Sequence, residues 1–206
     1  MKKIMFSERY GLEQAVLART KTMTRRIVPI DLYNQTDWKA VAEGDFEAVV
    51  DGEGYYHDIR NCGKYHIGEE VAIAQPYKND DVLTYNAYNE DGTAREDGLQ
   101  RHKEMLESKG YRNKMFVKAE YMPHRIRITG IKVERLQDIS EEDCLREGLL
   151  AGEQEPRMYG FRLPKGTVLS FLTLREAFAA LIDRISGRGT WQSNPWVYVY
   201  TFELIK

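Results

Sequence analysis

Between Arg125 and Leu136 polar and apolar residues alternate. Arg125-Ile126-Arg127-Ile128-Thr129 lies on one side of Gly130 and Ile131-Lys132-Val133-Glu134-Arg135-Leu136 on the other. Alternation at a period of two marks a strand with one buried face. Gly130 interrupts the run and predicts a bend or bulge there. A one-faced strand kinked near its middle suits a curled sheet or a small barrel. Trp196-Val197-Tyr198-Val199-Tyr200-Thr201-Phe202-Glu203-Leu204 reads as a second long strand, with Trp196 in the core. Aromatics make up 11% of the chain, which favours a strand-rich fold. A helix is set between the two strands. Phe171, Leu174, Ala177, Phe178, Leu181, Ile182 and Ile185 follow three-four spacing, Thr173 and Glu176 are placed for a capping box, and Gly187 supplies a stop.

Shorter signals fill in the rest. Lys3 to Phe6 reads as a buried strand, followed by a helix after Ser7 that Gly11 weakens. Gly68 to Pro76 reads as a turn leading into a buried strand that stops at the proline. Residues 78–98 read as loop or hairpin, with a turn at Asn89-Glu90-Asp91-Gly92. Leu99 to Ser108 is a short surface helix, and Met115 to Ala119 is a strand candidate. Ser140 is an N-cap, Ile139 and Cys144 sit at the staple positions, and Gly148 ends that segment, so Cys144 is expected to pack. The expected class is one α+β domain over residues 1–206, with polar insertions at about 30–62, 78–112 and 150–166.

Charge is distributed unevenly. The net charge is only −2, but residues 1–28 carry seven cations against two acids, and residues 31–62 carry eight acids against two cations. The basic end concentrates in Arg19-Thr20-Lys21-Thr22-Met23-Thr24-Arg25-Arg26, with four cations, three hydroxyls and no acid. A lysine beside a threonine can take its proton if the lysine is desolvated. Arg25 and Arg26 can also grip phosphate through forked hydrogen bonds, and a solvated basic surface would look the same in sequence. If the preceding helix continues by a turn, Lys21 and Thr24 share one face. His57, His66, His102 and His124 are scattered, and no Gly-rich phosphate loop is present, so no metal or cofactor is expected. Cys62 and Cys144 lie far apart and read as free thiols of a reducing cytoplasm. No apolar run approaches the roughly 20 residues of a membrane span, and the apolar part of the N-terminus is too short for a signal peptide.

Five stretches in order resemble the ASCH (activating-signal-cointegrator homology) domain family, and in particular its bacterial and prophage-associated branch. The octet resembles that branch's G-R/K-K-T-x-T-R-R, and Gly68 to Tyr77 stands where it has G-D-x-L-W-V-R-E-x-W. Met122-Pro123-His124-Arg125-Ile126-Arg127-Ile128 is similar to its M-P-R-x-x-S/A-R-I. Val133 to Asp143 matches V-E-R-L-Q-D-I-S/T-E-E-D, and Gly187 to Val197 matches G-x-G-S/T-W-x-x-N-P-W-V. The resemblance implies a PUA-like small mixed β-barrel flanked by helices. Such domains commonly bind RNA or modified nucleosides in a cleft beside the barrel. Some small ASCH proteins are amidohydrolases that remove the acyl group from N4-acetylcytidine with a Lys, a Thr and a Glu. The Lys and Thr fall on Lys21 and Thr24, but the Glu position reads Gln75 and the arginine before it reads Ala74. A glutamine cannot accept a proton as a general base, although it can orient a water or hold a base edge.

The leading expectation is therefore binding of RNA, single-stranded nucleic acid or a modified nucleotide. Lys21, Thr22, Thr24, Arg25 and Arg26 would line the cleft, with Gln75 at its floor and Arg125 and Trp191 as further contacts. The second is amide hydrolysis of an N4-acylated cytosine nucleoside with Thr24 as nucleophile and Lys21 as its activator. The third is a protein-interaction module of a mobile element that binds through the acidic 31–62 excursion.

Overall fold

The computed structural model describes residues 1–153 and 156–205. In chain order its strands and helices are β1 (Lys2–Ile4), α1 (Leu12–Leu17), β2 (Met23–Ile27), α2 (Ile30–Asn34), α3 (Trp38–Ala42), β3 (Glu47–Val50), β4 (Tyr56–Asp58), β5 (Glu70–Ile73), α4 (Asp80–Ala87) and α5 (Gly98–Glu107). There follow β6 (Arg125–Arg135), α6 (Glu141–Arg146), β7 (Leu150–Ala151), β8 (Tyr159–Arg162), β9 (Val168–Phe171), α7 (Leu174–Ser186), α8 (Thr190–Ser193) and β10 (Trp196–Leu204). The class is α+β.

The central sheet has the order β1-β5-β6-β10-β2, with β1 parallel to β5 and every other neighbour antiparallel. Its spine is the β6–β10 pair expected from the two alternating segments. The register runs from Trp196 opposite Arg135 to Leu204 opposite Ile126, and it shifts at Thr201/Phe202, opposite Gly130 and Ile128. Gly130 sits at this shift with its Cα facing Thr201. A Cβ on Gly130 would fall 2.5 Å from Thr201 Oγ1, closer than any side chain can sit. Ile126, Ile128, Val133 and Phe202 lie on one face of the β6–β10 pair and Val197 and Val199 on the other; all are buried, and Ala177, Phe178 and Leu181 of α7 belong to the same core. Thr173 and Glu176 make the reciprocal capping box that starts α7.

The edge strands β1 and β2 turn toward each other. Residues from the β1 side (Met5, Phe6) and from β2 (Thr24, Arg26) line one cavity, and Arg26 donates to the Met5 carbonyl at 2.9 Å. Among the described residues no backbone ladder joins these edges, so the sheet is curled but open.

Three segments differ from their sequence expectation. Residues 80–87 form the helix α4, which packs with α5 around a second small core of Ala72, Ala74, Tyr77, Val82, Met105 and Met122. The alternation sought for a hairpin is absent because Val82 and Asn86, four apart, are the residues buried. Met115 to Ala119 is not a strand. It contributes to two 3-10 turns, Lys114–Phe116 and Ala119–Tyr121, and Met115 and Phe116 are exposed. The polar stretch after residue 150 contains the three-stranded sheet β7-β8-β9. The acidic stretch holds α2, α3 and the β3–β4 hairpin.

Candidate functional site

The octet folds as a turn and a strand, not as a helical extension. α1 ends at Leu17, and Arg19 takes the left-handed conformation (φ 61°) that commonly closes a helix. The Thr20 and Lys21 amides both donate to the Ala15 carbonyl, which tightens the turn. Threonines suit the strand that follows, and Met23–Ile27 pairs antiparallel with β10, Thr24 opposite Tyr200. Lys21 and Thr24 therefore meet through a turn entering a strand.

Lys21 is held on every donor. It is buried, and its ammonium donates to the Met23 carbonyl at 2.7 Å, the Glu147 carbonyl at 2.7 Å and Glu147 Oε2 at 2.6 Å. All three of its donors are used. Glu147 stands at the C-terminal end of α6, just before Gly148, whose φ is +96°. A Cβ on Gly148 would press on Lys21 Cβ at 3.3 Å, so the glycine both stops the helix and lets Lys21 reach its partner. Burial pushes the Lys21 ammonium below its usual range, against the pull of Glu147.

Arg25, also buried, is held by three carboxylates. Nη2 lies 2.6 Å from Glu134 and 3.0 Å from Asp143, and Nη1 lies 3.1 Å from Glu147. Burial opposes its charge, but Glu147 and Glu134 overcome that and raise its pKa further. Lys132 closes the outer side on Glu134 and Asp143. Burial would raise the Asp143 carboxyl, yet hydrogen bonds from Lys132 and Arg25 hold it below the usual range. Thr22 is half-buried and accepts from Arg146 Nε at 3.4 Å. Two of the octet's cations are thus consumed internally and do not present themselves to phosphate.

Arg26 differs from them. Half-buried, it donates to the carbonyls of Met5 and Arg25, and among the described residues no carboxylate lies within ion-pair distance of it. Burial lowers its pKa, with Glu147, Tyr65 and Tyr200 opposing. It lines two cavities. One, of 60 Å³, is bounded by Phe6, Lys21, Thr24, Glu147 and Phe178 and has room for about two waters. The other, of 260 Å³, opens beside three tyrosines.

Gln75 lines neither cavity. Its Nε2 donates to Glu13 Oε1 at 3.1 Å and Asp81 Oδ2 at 3.2 Å, and its buried Oε1 has no partner. Glu13 is itself buried. Burial raises its pKa, with Lys114 at 2.9 Å pulling the other way. Asp81 also meets His124 at 3.1 Å. The amide here bridges two carboxylates, which a glutamate could not do.

Arg125, at the start of β6, and Trp191, in α8, also stand outside both cavities. The Arg125 Nε is buried without a partner. Trp191 packs edge-on against Phe178, with ring centroids 6.0 Å apart, and carries Arg175 over its face. Sequence reading missed Glu147, Glu134 and Asp143 as parts of the site. The available signal was negative: buried cations need acids, and the octet holds none. No cluster of metal-ligand type occurs among the described residues, and both cysteines are free. Comparison with protein-family models, with curated proteins and with solved structures finds no match.

Proposed function

We propose that this chain is a PUA-like domain of the ASCH type that binds a nucleoside-type ligand. The ligand is a modified nucleotide, free or within single-stranded RNA, and it enters the gap between β1 and β2. The curled five-stranded sheet flanked by helices supports the barrel-like reading of the fold. The observation that carries the functional reading is the convergence of Lys21, Thr24, Arg26 and Glu147 on one small enclosed cavity. A cation without a carboxylate partner stands at its edge and a larger chamber lies beside it. A cavity of 60 Å³ takes a substituent or a base edge and not a whole nucleoside. Since Lys21 and Arg25 are paired inside, few phosphate contacts are available, and salt weakens binding with a shallow slope of roughly −0.7 per phosphate contacted. Calorimetric titration with a panel of nucleosides, nucleotides and short single-stranded RNAs tests the reading. Binding should fall about tenfold in Arg26→Ala and in Thr24→Val. Undiminished binding in both variants, or no binding by any member of the panel, removes it.

A second reading is favoured by one distance. The 2.6 Å Lys21–Glu147 pair borders the same cavity as Thr24, so a lysine, a carboxylate and a hydroxyl are present together although residue 75 is a glutamine. Loss of a proton from Lys21, which its burial favours, leaves an amine able to accept the Thr24 hydroxyl proton. Thr24 Oγ1 then attacks the acyl carbonyl and the C–N bond breaks. The amine leaves with that proton, and water hydrolyses the acyl ester to release the carboxylate and restore Thr24. Release of cytidine from N4-acetylcytidine, lost in Thr24→Val and Glu147→Gln but kept in Gln75→Ala, is the expected pattern. No turnover at enzyme excess excludes it.

A further inference from the structure

Single exposed apolar side chains are ordinary on a protein surface, but several around one cavity mark a place where something docks. A groove of 550 Å³ lies between the end of β2, α2 and the α8–β10 junction. Ile27, Pro29, Ile30 and Tyr33 line it, with Ile27 45%, Ile30 68% and Tyr33 38% exposed. The aromatic stack behind Tyr33 is fixed. Tyr33 lies on Trp38 with ring centroids 4.9 Å apart, Trp38 lies on Trp196 at 4.8 Å, and the Trp38 indole donates to the Tyr33 carbonyl at 2.9 Å. The groove is therefore formed before anything enters it, and little ordering opposes docking. Arg135 supplies its charge. The guanidinium sits 4.6 Å from the Trp196 ring centroid and donates to the Asn194 carbonyl at 3.2 Å. Among the described residues no carboxylate lies within ion-pair distance of Arg135, and no acid lines the groove. Such a groove is complementary to an apolar surface that carries a carboxylate.

The chain carries that surface elsewhere. Asp51-Gly52-Glu53-Gly54 joins β3 to β4 in a tight turn, where Asp51 Oδ1 accepts from the Glu53 amide at 2.9 Å and the Tyr55 amide at 3.0 Å. The turn displays Glu53, which is exposed and has no cation within ion-pair distance among the described residues. Tyr55 and Tyr56 follow it, 64% and 67% exposed. No residue of this hairpin lines the groove of its own chain. The net charge of −2 leaves little overall repulsion between copies, while the local charges of tip and groove are opposite.

We infer that two copies of this chain form a two-fold dimer in which the β3–β4 tip of each docks in the groove of the other. Glu53 meets Arg135, and the two tyrosines cover Ile27, Ile30 and Tyr33. Tip and groove are different patches of one chain, so exchanging both contacts closes the assembly at two copies. No groove residue lines the Lys21 cavity, and the dimer is independent of nucleoside binding.

The test is sedimentation velocity of the full chain over a concentration series reaching about 500 µM, a range that captures weak association. The wild type should pass from monomer to dimer, and salt should weaken the dimer. Ile30→Asp puts an acid in the first turn of α2, where an acid is favourable, and Glu53→Lys changes an exposed turn, so both variants should melt like the wild-type monomer. Each should raise the dimer dissociation constant about tenfold or more. An equimolar mixture of the two variants retains one unaltered tip–groove contact and should associate more strongly than either variant alone. If Ile30→Asp melts early, Glu53→Lys decides. A wild type that stays monomeric throughout, or a dimer that Glu53→Lys leaves intact, overturns the proposal. Dissociation by Ile30→Asp alone means that something other than the hairpin fills the groove, and no gain on mixing overturns the reciprocal exchange. Growth beyond two copies overturns the two-fold closure.

Discussion

Around Glu147 two buried cations meet three carboxylates, whereas around Gln75 a single amide stands between two. In the first cluster every ammonium proton of Lys21 has an acceptor, and Arg25 reaches a different carboxylate from each end of its fork. In the second, the Gln75 Oε1 is buried without a partner, Lys114 pairs with Glu13, and Asp81 meets the half-buried His124. The first is a balanced charge network that fixes the geometry of β2 against α6. The second is held together by an uncharged donor, so charge is what it tolerates least.

Breaking the first cluster should have the largest effect. Glu147→Ala leaves Lys21 and Arg25 buried and short of an acceptor, and denaturant melts should show a loss of about 3–5 kcal/mol. Next comes Gln75→Glu, the exchange that supplies the carboxylate of the ASCH pattern that the sequence resembles. It places a third acid beside Glu13 and Asp81 and removes the donor between them. A loss of about 1–3 kcal/mol is expected, with no gain of amide hydrolysis. A stable variant with new activity would show that Gln75 stands in a different environment.

pH distinguishes the clusters by sign. The folded-state pKa of Asp143 is depressed, so the stability it contributes is present at neutral pH and lost as pH falls through the carboxylate range. The folded-state pKa of Glu13 is raised, so its contribution is fullest in acid and is lost as pH rises through the folded value. The destabilisation caused by Asp143→Asn should shrink between about pH 7 and pH 3, while that caused by Glu13→Gln should grow. Parallel trends would mean that the clusters titrate as one. The smallest effect belongs to Lys132→Ala. Its side chain is 49% exposed, and removing it should change stability by about 1 kcal/mol or less, with the difference fading in high salt.

The fold was legible where periodicity was strong. The Arg125–Leu136 alternation, the Gly130 irregularity, the α7 stripe from Leu174 onward with its capping box and the long terminal strand all correspond to observed elements, whereas Phe171, read as the first position of that stripe, ends β9. It was illegible where tertiary packing decides. In α4 only Val82 and Asn86 are buried, too few to show a helical period. In the 115–119 stretch Val117 is buried in the second small core, while Met115 and Phe116 remain exposed. The octet announced charge but not its destination, because the acids that neutralise it lie more than 100 residues away, in β6, in the first turn of α6 and at its C-terminal end. Nor could Gln75 be understood from β5 alone, since its two acceptors come from α1 and α4.

In the structural division of the octet, Arg25 is spent on three internal carboxylates, and Arg26, with no carboxylate within ion-pair distance among the described residues, is the one proposed to meet the ligand. Thermal melting of Arg26→Ala, with and without a saturating nucleotide that stabilises the wild-type protein, tests this most directly. The expected result is a ligand-free melting temperature close to wild type and a ligand-induced shift that is lost. A variant that melts early, or one that keeps the full shift, would contradict it.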